Sequence, residues 1–224
     1  MPCADAGARL HAPLEEWPRP SRRGLPHGGD GRFRLVVVRH GATEWSQSGR
    51  HTGRTDLPLL ELGRIQAELL GRRLAGRHFS LVLTSPLERA RQTCVLAGLG
   101  DGAVVCDDLR EWDYGEYEGR STSEIQRDRP GWSLWRDGVP GGESVRDVGR
   151  RADRVVAIAR DVAGDVLAFA HSHLLRVLAA RWVGLGPEDG ARLVLAPATI
   201  SVLGWERDTA VVVRWNDADD RQLT

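Results

Sequence analysis

The sequence predicts an α/β fold, a three-layer sandwich around a mostly parallel central sheet, and three observations carry that expectation. Short apolar runs without alternation recur at Leu35–Val38, Leu81–Leu83 and Val166–Ala170, as suits strands covered by helices on both faces. Between them lie segments with apolar residues at helical spacing, so strand and helix alternate. The same runs break into residues able to do chemistry: Arg39-His40-Gly41, Ser85 with Arg89, and His171-Ser172-His173. Parallel strands end along one edge, and such sheets place their sites there.

Taken in order, residues 1–31 mix Pro, Gly and Arg without an apolar block. They read as a disordered tail or an overlong start rather than a signal peptide, leaving 32–224 as one domain. The first strand, from Leu35, opens into a polar loop over 42–60 that holds Gly49, Gly53 and Pro58. A helix over about 61–76 follows, with Leu62, Ile65, Leu69 and Leu70 on one face. Ser80–Thr84 is the second strand, and Pro86 opens a helix to about Ala97 with Ser85 as its N-cap. Ala103–Cys106 is the third strand, leading into the acidic, aromatic loop Leu109–Gly119 and a short helix around 121–128. Glu143 starts a long helix to about Ala163, where Val145, Val148, Ala152, Val155, Val156 and Ala159 keep helical spacing. Val166–Ala170 is the fourth strand, followed by a helix over 174–183. Ile200–Trp205 and Ala210–Trp215 form an antiparallel hairpin at the sheet edge.

With 224 residues, 41% of them apolar and 28% charged, the composition is that of a globular α/β domain with a substantial core. Lys+Arg and Asp+Glu both total 31, so no global attraction to nucleic acid is implied, and no apolar run approaches a membrane span. Every basic residue is arginine, which excludes Schiff-base chemistry and the lysine of a P-loop, while arginine suits bidentate capture of phosphate. The cysteines Cys3, Cys94 and Cys106 are odd in number and widely spaced, which fits a reducing cytoplasm better than a disulfide scaffold.

The shared edge would gather His40, His171, Arg39 and Arg89, with Glu111 in the loop after the third strand. Such a set offers a nucleophile or base, two anion clamps and a carboxylic acid, which is what phosphoryl transfer requires. Alone, His40 reads as a structural histidine, and Arg39 and Arg89 read as surface ion-pair partners. Their joint placement favours chemistry. Spacing does not choose Glu111 over Asp113, Glu116 or Glu118. His171-Ser172-His173 permits a metal reading, completed by His40 or His51, but nothing else has metal-motif spacing. Thr52 and Gly53 offer a hydroxyl and an N–H to a substrate, or simply make a turn.

Four ordered blocks carry a resemblance: Arg39-His40-Gly41-Ala42-Thr43, Ser85–Thr93, Leu109–Gly119 and Gly142-Glu143-Ser144. Together they resemble the histidine phosphatase superfamily, with its phosphoglycerate mutase-like fold, over roughly residues 33–215. The resemblance implies that His40 attacks phosphorus and carries a phosphohistidine. It implies that Arg39, Arg89 and His171 hold the phosphate oxygens, His171 also stabilising the transferring group. Glu111 is implied as the acid that protonates the leaving alcohol and then helps water cleave the phosphohistidine. No metal and no cofactor are implied.

Within the family, Glu44–Gly53, Glu111–Gly115 and Trp135–Gly138 resemble sugar-phosphate phosphatases and bacterial acid phosphatases. Cofactor-dependent mutases carry a lysine at the position of Thr122 and an arginine pair in an inserted segment, and this chain has neither. Two departures stand out. Ser172 replaces a common glycine, where a side chain could restrict the backbone, and Ser46 stands where mutases often have asparagine. Candidate substrate contacts are Ser46, Thr52, Gly53, Tyr114, Ser172 and His173, although Trp45, Trp112, Tyr114 and Tyr117 also suit packing around the loops.

The expected function is a metal-independent phosphomonoesterase acting on a small phosphorylated metabolite such as a sugar phosphate, through a phosphohistidine. The alternatives are a phosphoglycerate mutase and a catalytically silent phospho-ligand-binding domain. The expected partner is a small-molecule phosphate ester, with no nucleic acid and no membrane. The oligomeric state is left open, a homodimer included.

Overall fold

The strand β1 (Leu35–Arg39) lies inside a six-stranded sheet and divides the core in two, because its side chains alternate between faces. In this computed structural model, which describes residues 32–218, Leu35 and Val37 join one buried cluster and Val36 and Val38 the other. The tail expected over 1–31 lies outside the described residues.

After β1 come a helical turn α1 (Glu44–Ser48), α2 (Glu61–Leu74), β2 (Leu81–Thr84), α3 (Glu88–Leu96) and β3 (Val104–Val105). Next are 3₁₀ turns at 107–109 and 115–117, then α4 (Thr122–Asp128), α5 (Leu134–Asp137) and α6 (Val145–Asp161). The chain continues through β4 (Val166–Ala170), α7 (Ser172–Trp182), a 3₁₀ segment at 187–192, β5 (Ile200–Glu206) and β6 (Thr209–Asp217). The strand order is β3-β2-β4-β1-β5-β6. The first four are mutually parallel, while β5 runs antiparallel to β1 and to β6. The sheet is therefore mostly parallel, with the expected hairpin at one edge.

Helices α6 and α7 cover one face with Val148, Ala152, Val155, Leu174, Leu178 and Trp182. Helices α2 and α3 cover the other with Leu70, Leu74 and Cys94. The sandwich has three layers. Among the described residues no helix is long and apolar enough to cross a membrane.

Several boundaries differ from the sequence expectation, each for a physical reason. Leu62 and Ile65 were expected in the core but are 48% and 47% exposed. The buried stripe of α2 is instead Gly63, Ala67, Leu70 and Leu74. Gly63 sets it: a Cβ there would lie 2.2 Å from the Ala42 carbonyl oxygen, so the helix presses its backbone against the loop after β1. Ser85 does not cap α3, which begins at Glu88 with Leu87 in the capping position. The Ser85 hydroxyl is engaged by His171 instead. Helix α7 starts at Ser172, two residues before the expected 174. Inside the expected loop 42–60, Thr43 and Ser46 form a capping box that starts α1. The turn α5 and the 3₁₀ segment at 187–192 had no clear periodic signal, being too short to show one.

Candidate active site

The end of β1 delivers His40 into a tightly fixed loop. The His40 N–H donates to the Ala170 carbonyl of β4 at 3.0 Å, the Gly41 N–H to Thr93 Oγ1 at 3.1 Å, and the Ala42 N–H to Gln66 Oε1 at 2.9 Å. Gly41 must be glycine here, because an added Cβ would sit 2.4 Å from the Gly63 carbonyl oxygen. His40 Nδ1 lies 2.8 Å from the Gly41 carbonyl oxygen. A carbonyl can only accept, so Nδ1 carries the hydrogen and Nε2 keeps its lone pair. Burial, then the Arg89 and Arg39 charges, hold the His40 pKa well below the usual imidazole range. His40 is a neutral, pre-oriented imidazole.

Arg39 and Arg89 flank this ring differently. Arg39 donates to the Leu195 carbonyl at 2.5 Å through one terminal nitrogen, while its buried Nε has no partner. Burial brings its pKa down to about 10, which leaves it cationic at neutral pH. Arg89 is fully buried and heavily engaged. Its terminal nitrogens donate to the carbonyls of Thr52, Gly53 and Thr55 at 2.9–3.0 Å, and its Nε donates to His171 Nδ1 at 3.2 Å. That bond makes Nδ1 the acceptor, so His171 carries its hydrogen on Nε2 and donates it to Ser85 Oγ at 2.8 Å. The His171 pKa is also pushed well down, first by burial and then by Arg89. The His40 and His171 ring centroids are 5.1 Å apart.

Glu111 lies at the N-terminus of α7. Its carboxylate accepts from the N–H groups of Trp112, His173 and Leu174 at 2.9, 3.1 and 2.9 Å. Two of these are the otherwise unpaired donors of the first turn of α7, where the helix dipole favours a carboxylate. The Tyr114 hydroxyl is 2.6 Å from His173 Nδ1, and the Tyr114 ring stacks on His51 at 4.7 Å. Burial raises the Tyr114 pKa, takes His51 down to about 4 and His173 well below its usual value. Tyr114, His51 and His173 thus form a polar stretch that is uncharged at neutral pH.

One cavity of about 200 Å³ gathers Arg39, His40, Ser46, Thr52, Glu111, Tyr114, Ser172 and His173 from the expected set. Arg89 and His171 are not among its lining residues and support it from within the fold. Gly53 is also outside it, its N–H donated to Glu118 Oε1 at 2.8 Å. The Ser46 hydroxyl donates to the Thr43 carbonyl at 2.9 Å and the Thr52 hydroxyl to the Arg50 carbonyl at 3.2 Å. Ser172 is the first residue of α7 and is absent from the positive-φ residues, so its backbone does not call for glycine. Its hydroxyl is turned to the Leu195 carbonyl at 3.4 Å. The cavity also takes in Arg50, His51 and Thr122. In the sequence His51 reads as part of the Arg50–Gly53 run and as a candidate to complete a metal site, not as a substrate contact. Among the described residues no group of three or more His, Cys, Asp or Glu could hold a metal ion.

A model of the histidine phosphatase superfamily (branch 1) matches residues 35–218. An acid phosphatase of Mycobacterium tuberculosis is 43% identical over 177 residues, covering 77% of this chain and 87% of the relative. A sedoheptulose 1,7-bisphosphatase of Saccharomyces cerevisiae is 41% identical over 186 residues, covering 68% of each. Among solved structures, an open reading frame product of Mycobacterium tuberculosis superposes with a TM-score of 0.80 at 40% identity, covering 83% of this chain and 98% of the other.

Proposed function

The chain belongs to the histidine phosphatase superfamily and is a phosphatase, and from that premise we propose that it hydrolyses small phosphate monoesters, sugar phosphates among them, through a phosphohistidine on His40 and without a metal. The observation that carries this reading is the fixed tautomer of His40. Its Nδ1–H is held by the Gly41 carbonyl, so the Nε2 lone pair is the one available in the cavity it shares with Arg39 and Glu111.

In the first half-reaction Nε2 would form the N–P bond as the ester P–O bond breaks, and Glu111 would give a proton to the departing oxygen. In the second, Glu111 would take a proton from water as its oxygen bonds phosphorus and the N–P bond breaks. Arg39, with an unpartnered Nε, would donate to a phosphate oxygen. Arg89 would add charge from below and hold His171, whose Nε2–H a phosphate oxygen would draw from Ser85. Tyr114, His173, Ser46, Thr52 and Ser172 would face the part of the substrate beyond the phosphate, with Gly53 supporting Thr52. The buried thiols of Cys94 and Cys106 suit a cytoplasmic setting.

The neutral Thr122 in this cavity argues against a mutase, which must hold a bisphosphorylated ligand long enough to return a phosphate. The unstrained Ser172 argues against a silent domain. Phosphate release across a panel of metabolite phosphates tests the reading. His40→Ala should lose roughly three or more orders of magnitude on every substrate. Full hydrolysis by that variant would end the proposal. Transfer of phosphate between positions of one substrate, outrunning its release, would favour the mutase.

A further inference from the structure

A second cavity, of about 580 Å³, shares Glu111 with the first and is lined also by Glu143 and Arg151. Neither Glu143 nor Arg151 lines the cavity that holds His40. Arg151, on α6, is 13% exposed and forms a forked ion pair with Glu143: Nε to Oε1 at 2.8 Å and a terminal nitrogen to Oε2 at 2.7 Å. Its other donors go to main-chain carbonyls around Glu111. They reach Asp108 at 2.9 Å, Arg110 at 2.8 Å and Glu111 itself at 3.4 Å.

Glu143 grips the loop just beyond Glu111. Its carboxylate accepts the Asp113 N–H at 3.0 Å, its own N–H donates to the Asp113 carbonyl at 3.0 Å, and its carbonyl accepts the Trp112 indole N–H at 2.8 Å. The loop from Asp108 to Asp113 is thus bracketed on both sides of Glu111 by one ion pair. A planar guanidinium can hold a carboxylate and several carbonyls at once, which an ammonium cannot.

Resting on the phosphatase reading above, we propose that the Arg151–Glu143 pair is a positioning device for Glu111. It fixes the backbone of the loop so that the carboxylate is presented both to the N-terminus of α7 and to the leaving oxygen. Arg151 does not touch the substrate; it acts through Glu111. The consequence concerns proton transfer to the leaving group, while phosphate binding and the nucleophile stay intact. A displacement of about 1 Å in a catalytic group can cost on the order of a hundredfold.

The test is single-turnover release of leaving group by Arg151→Ala and Arg151→Lys, using an alkyl phosphate and p-nitrophenyl phosphate. An alkoxide needs the proton and nitrophenolate does not. Arg151→Ala should slow alcohol release by about ten- to a hundredfold, change nitrophenol release by less than about threefold, and leave KM within about threefold. Arg151→Lys should recover only part of the loss. Should Arg151→Ala fail to fold, Glu143→Gln carries the same comparison, with the loss again confined to the alkyl ester. Equal losses on both esters would overturn the proposal, since a merely structural role lowers both together, and so would no loss on either. If the wild-type protein releases neither leaving group, the phosphatase reading itself fails, an outcome distinct from wild-type turnover with variants that track it on both esters.

Discussion

The two arginines nearest His40 are Arg39, half-buried at the end of β1, and Arg89, fully buried in the first turn of α3, and their hydrogen bonds are spent in opposite ways. Arg89 gives its donors to three carbonyls and to His171. Arg39 has one bond to a carbonyl and a buried Nε with nothing to donate to. An unpaired buried donor costs free energy comparable to a lost hydrogen bond, so the fold tolerates Arg39 at an expense that a bound anion would remove. On the proposed reading, the saturated Arg89 acts chiefly through the scaffold it holds, and the unsaturated Arg39 chiefly by binding phosphate.

Substitution should separate these two roles. Arg89→Met should have the larger effect, leaving the Thr52, Gly53 and Thr55 carbonyls unpartnered and freeing His171. A loss of about 3–5 kcal/mol in denaturant unfolding, together with lost turnover, is expected. Unchanged stability would contradict the scaffold role. Arg39→Met should cut kcat by about 10²–10³ while leaving the melting temperature unchanged or raised, because it removes a desolvated cation with few bonds. A marked drop in its melting temperature would erase the contrast.

The smallest effect concerns acid. His40, His51, His171 and His173 all have folded-state pKa values below the ordinary value near 6.5, His51 at about 4. Above pH 6.5 these groups are neutral in both states and contribute nothing. As pH falls through the unfolded value, only the unfolded chain takes up protons, so stability declines until the folded-state values are reached. Thermal melting should therefore fall between pH 6.5 and 4, and His51→Phe should flatten that fall. A melting temperature constant over that window would show that the cluster is not held neutral by burial.

The parallel sheet was legible because β1, β2 and β4 are short apolar runs with chemistry at their ends. The cavity's Arg39, His40 and Glu111 were legible from the family-like blocks. The inward face of α2 was not, because it is set by a backbone-to-backbone approach between Gly63 and Ala42, which leaves no apolar signature. Ser85 looked like a helix cap in sequence, since nothing local shows that a histidine 86 positions later will claim its hydroxyl. The bracket of Arg151 and Glu143 was hidden for a similar reason: in sequence, Glu143 looks like an acidic residue at a helix start. Contacts between residues distant in sequence decide all three: a backbone approach for α2, and hydrogen bonds for Ser85 and for the Arg151 bracket.

The proposed nucleophile, His40, can be caught directly. Rapid quenching of the wild-type protein with a phosphate-labelled substrate under single turnover should trap one acid-labile, alkali-stable label per chain, absent from His40→Ala. Hydrolysis by the wild-type protein with no label ever trapped on His40, or a label that persists in His40→Ala, would contradict it.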